Sequence, residues 1–211
     1  MHRKGDSWRA LRVAALAAIS LLTPLPAQAA DKYAAVREKL ATCVPCHGEN
    51  GVSTQPMYPV LAGQHLHYLY LQLKDMKSGL RANPVMAPIV KDLEKDEMLA
   101  IAEYFSKQSW PRIGTRVDDA QKASALSSVN AGQCVGCHLS GFEGNSSVPR
   151  LAGQHAEYLA KTMLDFKTKL RSNSPDKSSL LASFSERQLR DLAAYLASLT
   201  VHGRAQSGEV H

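Results

Sequence analysis

The chain has 211 residues, 21% of them charged, and a formal net charge of +6. The leader described next takes four bases and one acid with it, leaving +3, scattered too evenly for a nucleic-acid binder. The remaining ~180 residues suit one domain or two small ones, and a unit of half that length needs a staple or a cofactor to be stable.

In chain order, residues 1–29 read as an export signal. Arg3, Lys4, Arg9 and Arg12 form a positive start, Val13 to Leu22 an apolar run, and Ala27-Gln28-Ala29 a small-residue cleavage site. The apolar run is about half the roughly twenty residues that a spanning helix needs, and Pro24 and Pro26 follow it. An uncleaved anchor is the alternative. No twin arginine is present, so general secretory export to the periplasm is expected, with a soluble mature chain starting at Ala30 or Asp31.

Helical patterning begins at Tyr33 to Thr42 and leads into Cys43-Val44-Pro45-Cys46-His47. A central helix is expected over Gln64 to Gly79, where Leu66, Leu69, Leu73 and Met76 keep helical spacing, and another from Asp96 to Lys107. Trp-Pro and Ile-Gly break the pattern between Trp110 and Asp119. Ala120 to Gly132 then leads into Cys134-Val135-Gly136-Cys137-His138, followed by helices over Gln154 to Leu170 and Glu186 to Leu199. The last opens on the capping box Ser185-Glu186-Arg187-Gln188. No strand-like alternation appears, so the fold class is all-α.

These cysteine spacings carry the chemistry. C-x-x-C-H attaches c-type haem: both thiols add to the haem vinyls, and the next histidine lies against the iron. A zinc site or a thioredoxin-like pair are the alternatives, but neither explains a histidine at the same following position in both copies. Two matches in an exported chain with no other cysteine therefore point to two covalent haems.

The motif is part of a longer repeat. Pro59 and Leu61-Ala62-Gly63-Gln64-His65 recur as Pro149 and Leu151-Ala152-Gly153-Gln154-His155, Tyr68-Leu69 as Tyr158-Leu159, and Leu80-Arg81 as Leu170-Arg171. Tyr104 recurs as Tyr195. The chain is a duplicated domain, and its expected divisions are 30–111, 112–202 and a polar tail at 203–211.

Over essentially the whole mature chain this doubled pattern resembles the dihaem cytochrome c4 family. The resemblance implies two tandem class I cytochrome c domains, each wrapped around one haem, that carry electrons to terminal oxidases or other partners. It also implies His47 and His138 as proximal iron ligands. In such folds a proline carbonyl fixes the histidine ring, a role that falls here to Pro59 and Pro149. The distal ligand of the first haem falls to Met86, in the stretch Asn83 to Pro88, whose soft sulfur favours ferrous iron. Met76 and Met98 stand at core spacing, and Met57 lies too near the attachment site. His65, His67 and His155 open the central helices, outside the loop the family uses. Tyr68, Tyr158, Arg81 and Arg171 are read as haem-propionate or packing contacts, with a plain helix-surface role as the alternative.

The second repeat departs from the pattern. Counting from His138 as from His47 to Met86 lands on Lys177, and the spacing to Tyr195 agrees. The repeat offset drifts by one in this region, which keeps Asp176 as the other equivalent. A lysine must lose its proton to bind iron, at a cost of about 4 to 5 kcal/mol. Lys177 ligation, an open or water-bound iron, and another side chain all remain open, and each makes the haems unequal.

The expected function is single-electron transfer between redox proteins: a cytochrome bc1-type complex or periplasmic dehydrogenase, and a terminal oxidase. No nucleic acid is involved, and peripheral membrane contact is compatible with the sequence. The alternatives are a haem enzyme of peroxidase type, a small-ligand sensor at an open second haem, or the cytochrome subunit of a sulfur-compound dehydrogenase.

Overall fold

The computed structural model describes residues 31–200; the expected export signal and the expected polar tail at 203–211 lie outside the described residues. The helices are α1 (Arg37–His47), α2 (Leu66–Lys77), α3 (Ala87–Val90), α4 (Lys95–Ser106), α5 (Asp119–Ala131), α6 (Val135–His138), α7 (Ala156–Lys167), α8 (Pro175–Ala182) and α9 (Glu186–Ser198). Among the described residues there is no strand, only an isolated bridge between Asn145 and Val148.

Each repeat builds its own core from residues three and four apart on facing helices. In the first, Leu69 and Met76 of α2 pack against Met98, Ile101, Ala102 and Phe105 of α4, with Val36 closing the layer. In the second, Leu159 and Ala160 of α7 meet Leu192, Ala193 and Leu196 of α9 and Ala125 and Val129 of α5. The Ser185 capping box forms: Ser185 N–H donates to Gln188 Oε1, and Gln188 N–H to Ser185 Oγ.

Three elements differ from the sequence reading: the first helix and the segments around Met86 and Lys177. The first helix does not start at Tyr33; a 3-10 turn over Ala34–Val36 precedes α1, which then runs through both cysteines to His47. In the second repeat the equivalent helix is broken. α5 stops at Ala131, and Gln133 takes a positive φ of 49° before α6 resumes. The segments around Met86 and Lys177, to which the sequence reading assigns no helix, contain α3 and α8. Pro175 starts α8 because its fixed φ suits the first helical position and its missing N–H is not needed there.

Both repeats lie within one compact unit beginning at Lys32. They join through hydrogen bonds related by a local twofold. Gln154 Oε1 accepts from Val60 N–H at 2.9 Å while its Nε2 donates to Val60 O at 3.1 Å. Gln64 makes the same pair with Arg150, at 2.9 and 3.0 Å. His65 Nε2 donates to Glu143 O at 2.8 Å, and His155 Nε2 to Ser53 O at 2.9 Å. Tyr68 N–H reaches Ser146 O, and Tyr158 N–H reaches Pro56 O. The repeated Q-H dipeptide is thus a clamp that reads the other repeat's main chain.

Candidate functional site

Within α1, Cys43 and Cys46 stand three residues apart and share one side of the helix, with His47 completing the turn. Cys43 packs against the first core and Cys134 against the second. Burial raises the pKa of both, which keeps them as thiols.

His47 is buried, and its Nδ1 lies 2.9 Å from Pro59 O; in the half-buried His138, Nδ1 lies 3.1 Å from Pro149 O. A carbonyl can only accept, so Nδ1 carries the proton and Nε2 keeps its lone pair for a metal. Burial lowers the pKa of both rings more than the proline hydrogen bonds raise it, and the nearby Lys177 charge lowers that of His138 further. Each ring is therefore neutral and singly oriented. Two thiols beside such an imidazole, twice over, are the donor set of covalent haem, and the residues fit the group.

Met86 is the N-cap residue of α3, half-buried against the first core. Met76 and Met98 are core residues, whereas Met57 is 48% exposed. His65 and His155 are committed to the clamp, and His67 is exposed.

The turn hydrogen bonds fix the register of the second repeat. Arg81 N–H bonds Asp75 O and Arg171 N–H bonds Asp165 O, an offset of 90 residues. Ala87 N–H bonds Asn83 O and Ser178 N–H bonds Ser174 O, an offset of 91. The extra residue therefore lies between Arg171 and Ser174, and Lys177, not Asp176, stands where Met86 stands. Asp176 is exposed, while Lys177 is half-buried with Nζ 3.2 Å from Ser174 Oγ. Burial and then the Arg171 charge lower the Lys177 pKa, easing the deprotonation that ligation requires.

Arg81 and Arg171, both buried, converge where the repeats meet. Gln72 Oε1 accepts from Arg81 Nη1 at 3.0 Å, Arg171 Nη2 at 2.7 Å and Asn173 Nδ2 at 3.3 Å. Arg81 Nη2 also donates to Tyr158 Oη at 3.2 Å. Burial raises the Tyr158 pKa, but the two guanidiniums outweigh it and pull the value down to about 7. A junction this positive favours anionic groups. Sequence reasoning named the arginines and tyrosines but missed Gln72, whose counterpart is Thr162, and the clamp residues Gln64 and Gln154. Exact repetition of L-A-G-Q-H was the available signal for the clamp.

The cytochrome c family model matches residues 122–200. Cytochrome c4 of Azotobacter vinelandii is 32% identical over 82% of this chain and 91% of its own length. The thiosulfate dehydrogenase electron acceptor of Stutzerimonas stutzeri strain A1501 is 29% identical, covering 90% and 94%. The structure of reduced recombinant cytochrome c4 from Pseudomonas stutzeri superposes with a TM-score of 0.72 at 32% identity, covering 79% of this chain and 97% of that one. With a doubled haem-attachment motif, two helical lobes and this likeness over most of its length, the chain belongs to the cytochrome c4 family of dihaem electron carriers.

Proposed function

We propose that the chain is a periplasmic carrier with two unequal haem sites, in lobes spanning 30–111 and 112–202. When bound, each haem supplies a one-electron ferric/ferrous couple. Cys43, Cys46, Cys134 and Cys137 hold it by thioether bonds, and His47 and His138 present Nε2 to the iron, steered by the carbonyls of Pro59 and Pro149. Met86 completes the first site and Lys177 the second, while Arg81 and Arg171 neutralise carboxylates brought to the junction.

The observation that carries the inequality is the turn register matching Lys177 to Met86. Thioether favours ferrous iron more than an amine does, so the first site is the high-potential one. The length-spanning likeness to a thiosulfate dehydrogenase electron acceptor favours a periplasmic sulfur-compound dehydrogenase as donor and a terminal oxidase as acceptor.

Potentiometric titration of wild type beside Lys177→Met tests the reading. Two separated steps are expected in the wild type, with the lower rising in the variant. Two overlapping high-potential steps unmoved by the substitution refute it. Carbon monoxide binding to the ferrous wild type would instead favour an open second iron, and peroxide turnover with a reduced donor would favour an enzyme.

A further inference from the structure

The peptide groups that fix the two histidines are each held from the opposite repeat. The carbonyl of the Pro59–Val60 peptide accepts from His47 Nδ1, and the N–H of that same peptide donates to Gln154 Oε1 at 2.9 Å. The carbonyl of the Pro149–Arg150 peptide accepts from His138 Nδ1, and its N–H donates to Gln64 Oε1 at 2.9 Å. Both glutamines are buried, each 3% exposed, and so are Val60 and His47. The carboxamides have one orientation: each oxygen faces a second N–H, that of His155 at 3.1 Å or His65 at 3.0 Å, and each Nε2 faces a carbonyl.

We propose that Gln154 and Gln64 are positioning residues acting across the junction, each tuning the reduction potential of the iron in the opposite repeat through the histidine hydrogen bond. An amide whose N–H is donating shifts electron density onto its oxygen, so its carbonyl accepts more strongly; hydrogen bonds in series polarise one another, most where water is excluded. The stronger acceptor draws the Nδ1 proton, makes the imidazole a more basic ligand and favours ferric iron. The glutamine also stops the peptide from rotating its carbonyl away from the ring. Residues remote from an iron in sequence thereby enter its ligand sphere at third hand, and the twofold makes the arrangement reciprocal.

The inference rests on His47 and His138 as the iron ligands. That reading is checked separately by His47→Ala and His138→Ala: if both keep a low-spin histidine-ligated ferric spectrum at both haems, the ligand assignment has failed and the relay falls with it.

The test uses the full-length holoprotein and follows each haem's potential by spectroelectrochemical titration. Gln154→Met keeps side-chain length without the acceptor. It should raise the first haem's potential, changing its ferrous-to-ferric ratio at fixed potential by roughly two- to fourfold, and leave the second haem unmoved. Gln64→Met should do the converse. Gln154→Glu keeps an acceptor oxygen on Val60 N–H and should hold the first haem at or below the wild-type potential; it carries the test if the methionine variant does not fold. His155→Ala removes an inter-repeat bond of the same kind without touching the Pro59–Val60 peptide and should shift neither haem. Gln154→Met moving the haem of its own repeat, moving both equally, or behaving like His155→Ala overturns the proposal.

Discussion

Replacing Gln72 by Leu removes the acceptor shared by two buried guanidiniums and spares most of the volume. The lost bonds are those from Arg81 at 3.0 Å and Arg171 at 2.7 Å, with Asn173 at 3.3 Å too long to weigh much. A hydrogen bond to a charged group contributes about 1.5 to 3 kcal/mol, so two give about 3 to 6 kcal/mol. Leucine returns about 1 kcal/mol by burying its methyl groups, and Arg81 retains Tyr158. A net loss near 3 kcal/mol follows, or a urea midpoint lower by about 1.5 M at a slope of about 2 kcal/mol/M. Circular dichroism of the holoprotein in urea reads it. The matched position of the second repeat is the comparison: Thr162→Val should cost about 1 kcal/mol, because Thr162 holds no guanidinium and gives up only its hydrogen bond with Tyr158. Equal losses at the two positions, or a Gln72→Leu loss under about 1 kcal/mol, would refute the claim that this amide holds the two buried guanidiniums.

Two further substitutions probe the second site. Leu139, just after His138, has φ 65° and ψ 169°, a region that suits glycine, and the first repeat has Gly48 there. Leu139→Gly should therefore stabilise the protein by about 1 to 2 kcal/mol, seen as a higher thermal midpoint; a lower midpoint would mean that the leucine's packing outweighs the strain. At Gly144, φ is +64° and an added Cβ would lie 2.4 Å from Pro149 O, the acceptor of the His138 proton. Gly144→Ala should displace that carbonyl and disturb the ferric spectrum of the second haem while leaving the first intact, and unchanged spectra for both would contradict it.

Much of this was legible in the residues alone because the signals are local. C-x-x-C-H places two thiols and an imidazole within one helical turn whatever the rest of the chain does, and the capping box and helical spacing act over three or four residues. Repetition announced two lobes in the same way. No helix is expected around Lys177, where Ser, Asn and Pro usually bond locally outside helices, yet Pro175 at the first position starts α8.

Tertiary structure decided what depends on residues far apart in sequence. Counting residues left Asp176 and Lys177 both standing, and only the hydrogen-bond register separated them. The same holds for the meeting of Arg81, Arg171 and Gln72, and for the reach of Gln154 to a peptide 94 residues away. Spacing along one helix says nothing about which main-chain group of another lobe will need a partner. That follows only when the two lobes exclude water together and each buried N–H and C=O must be matched.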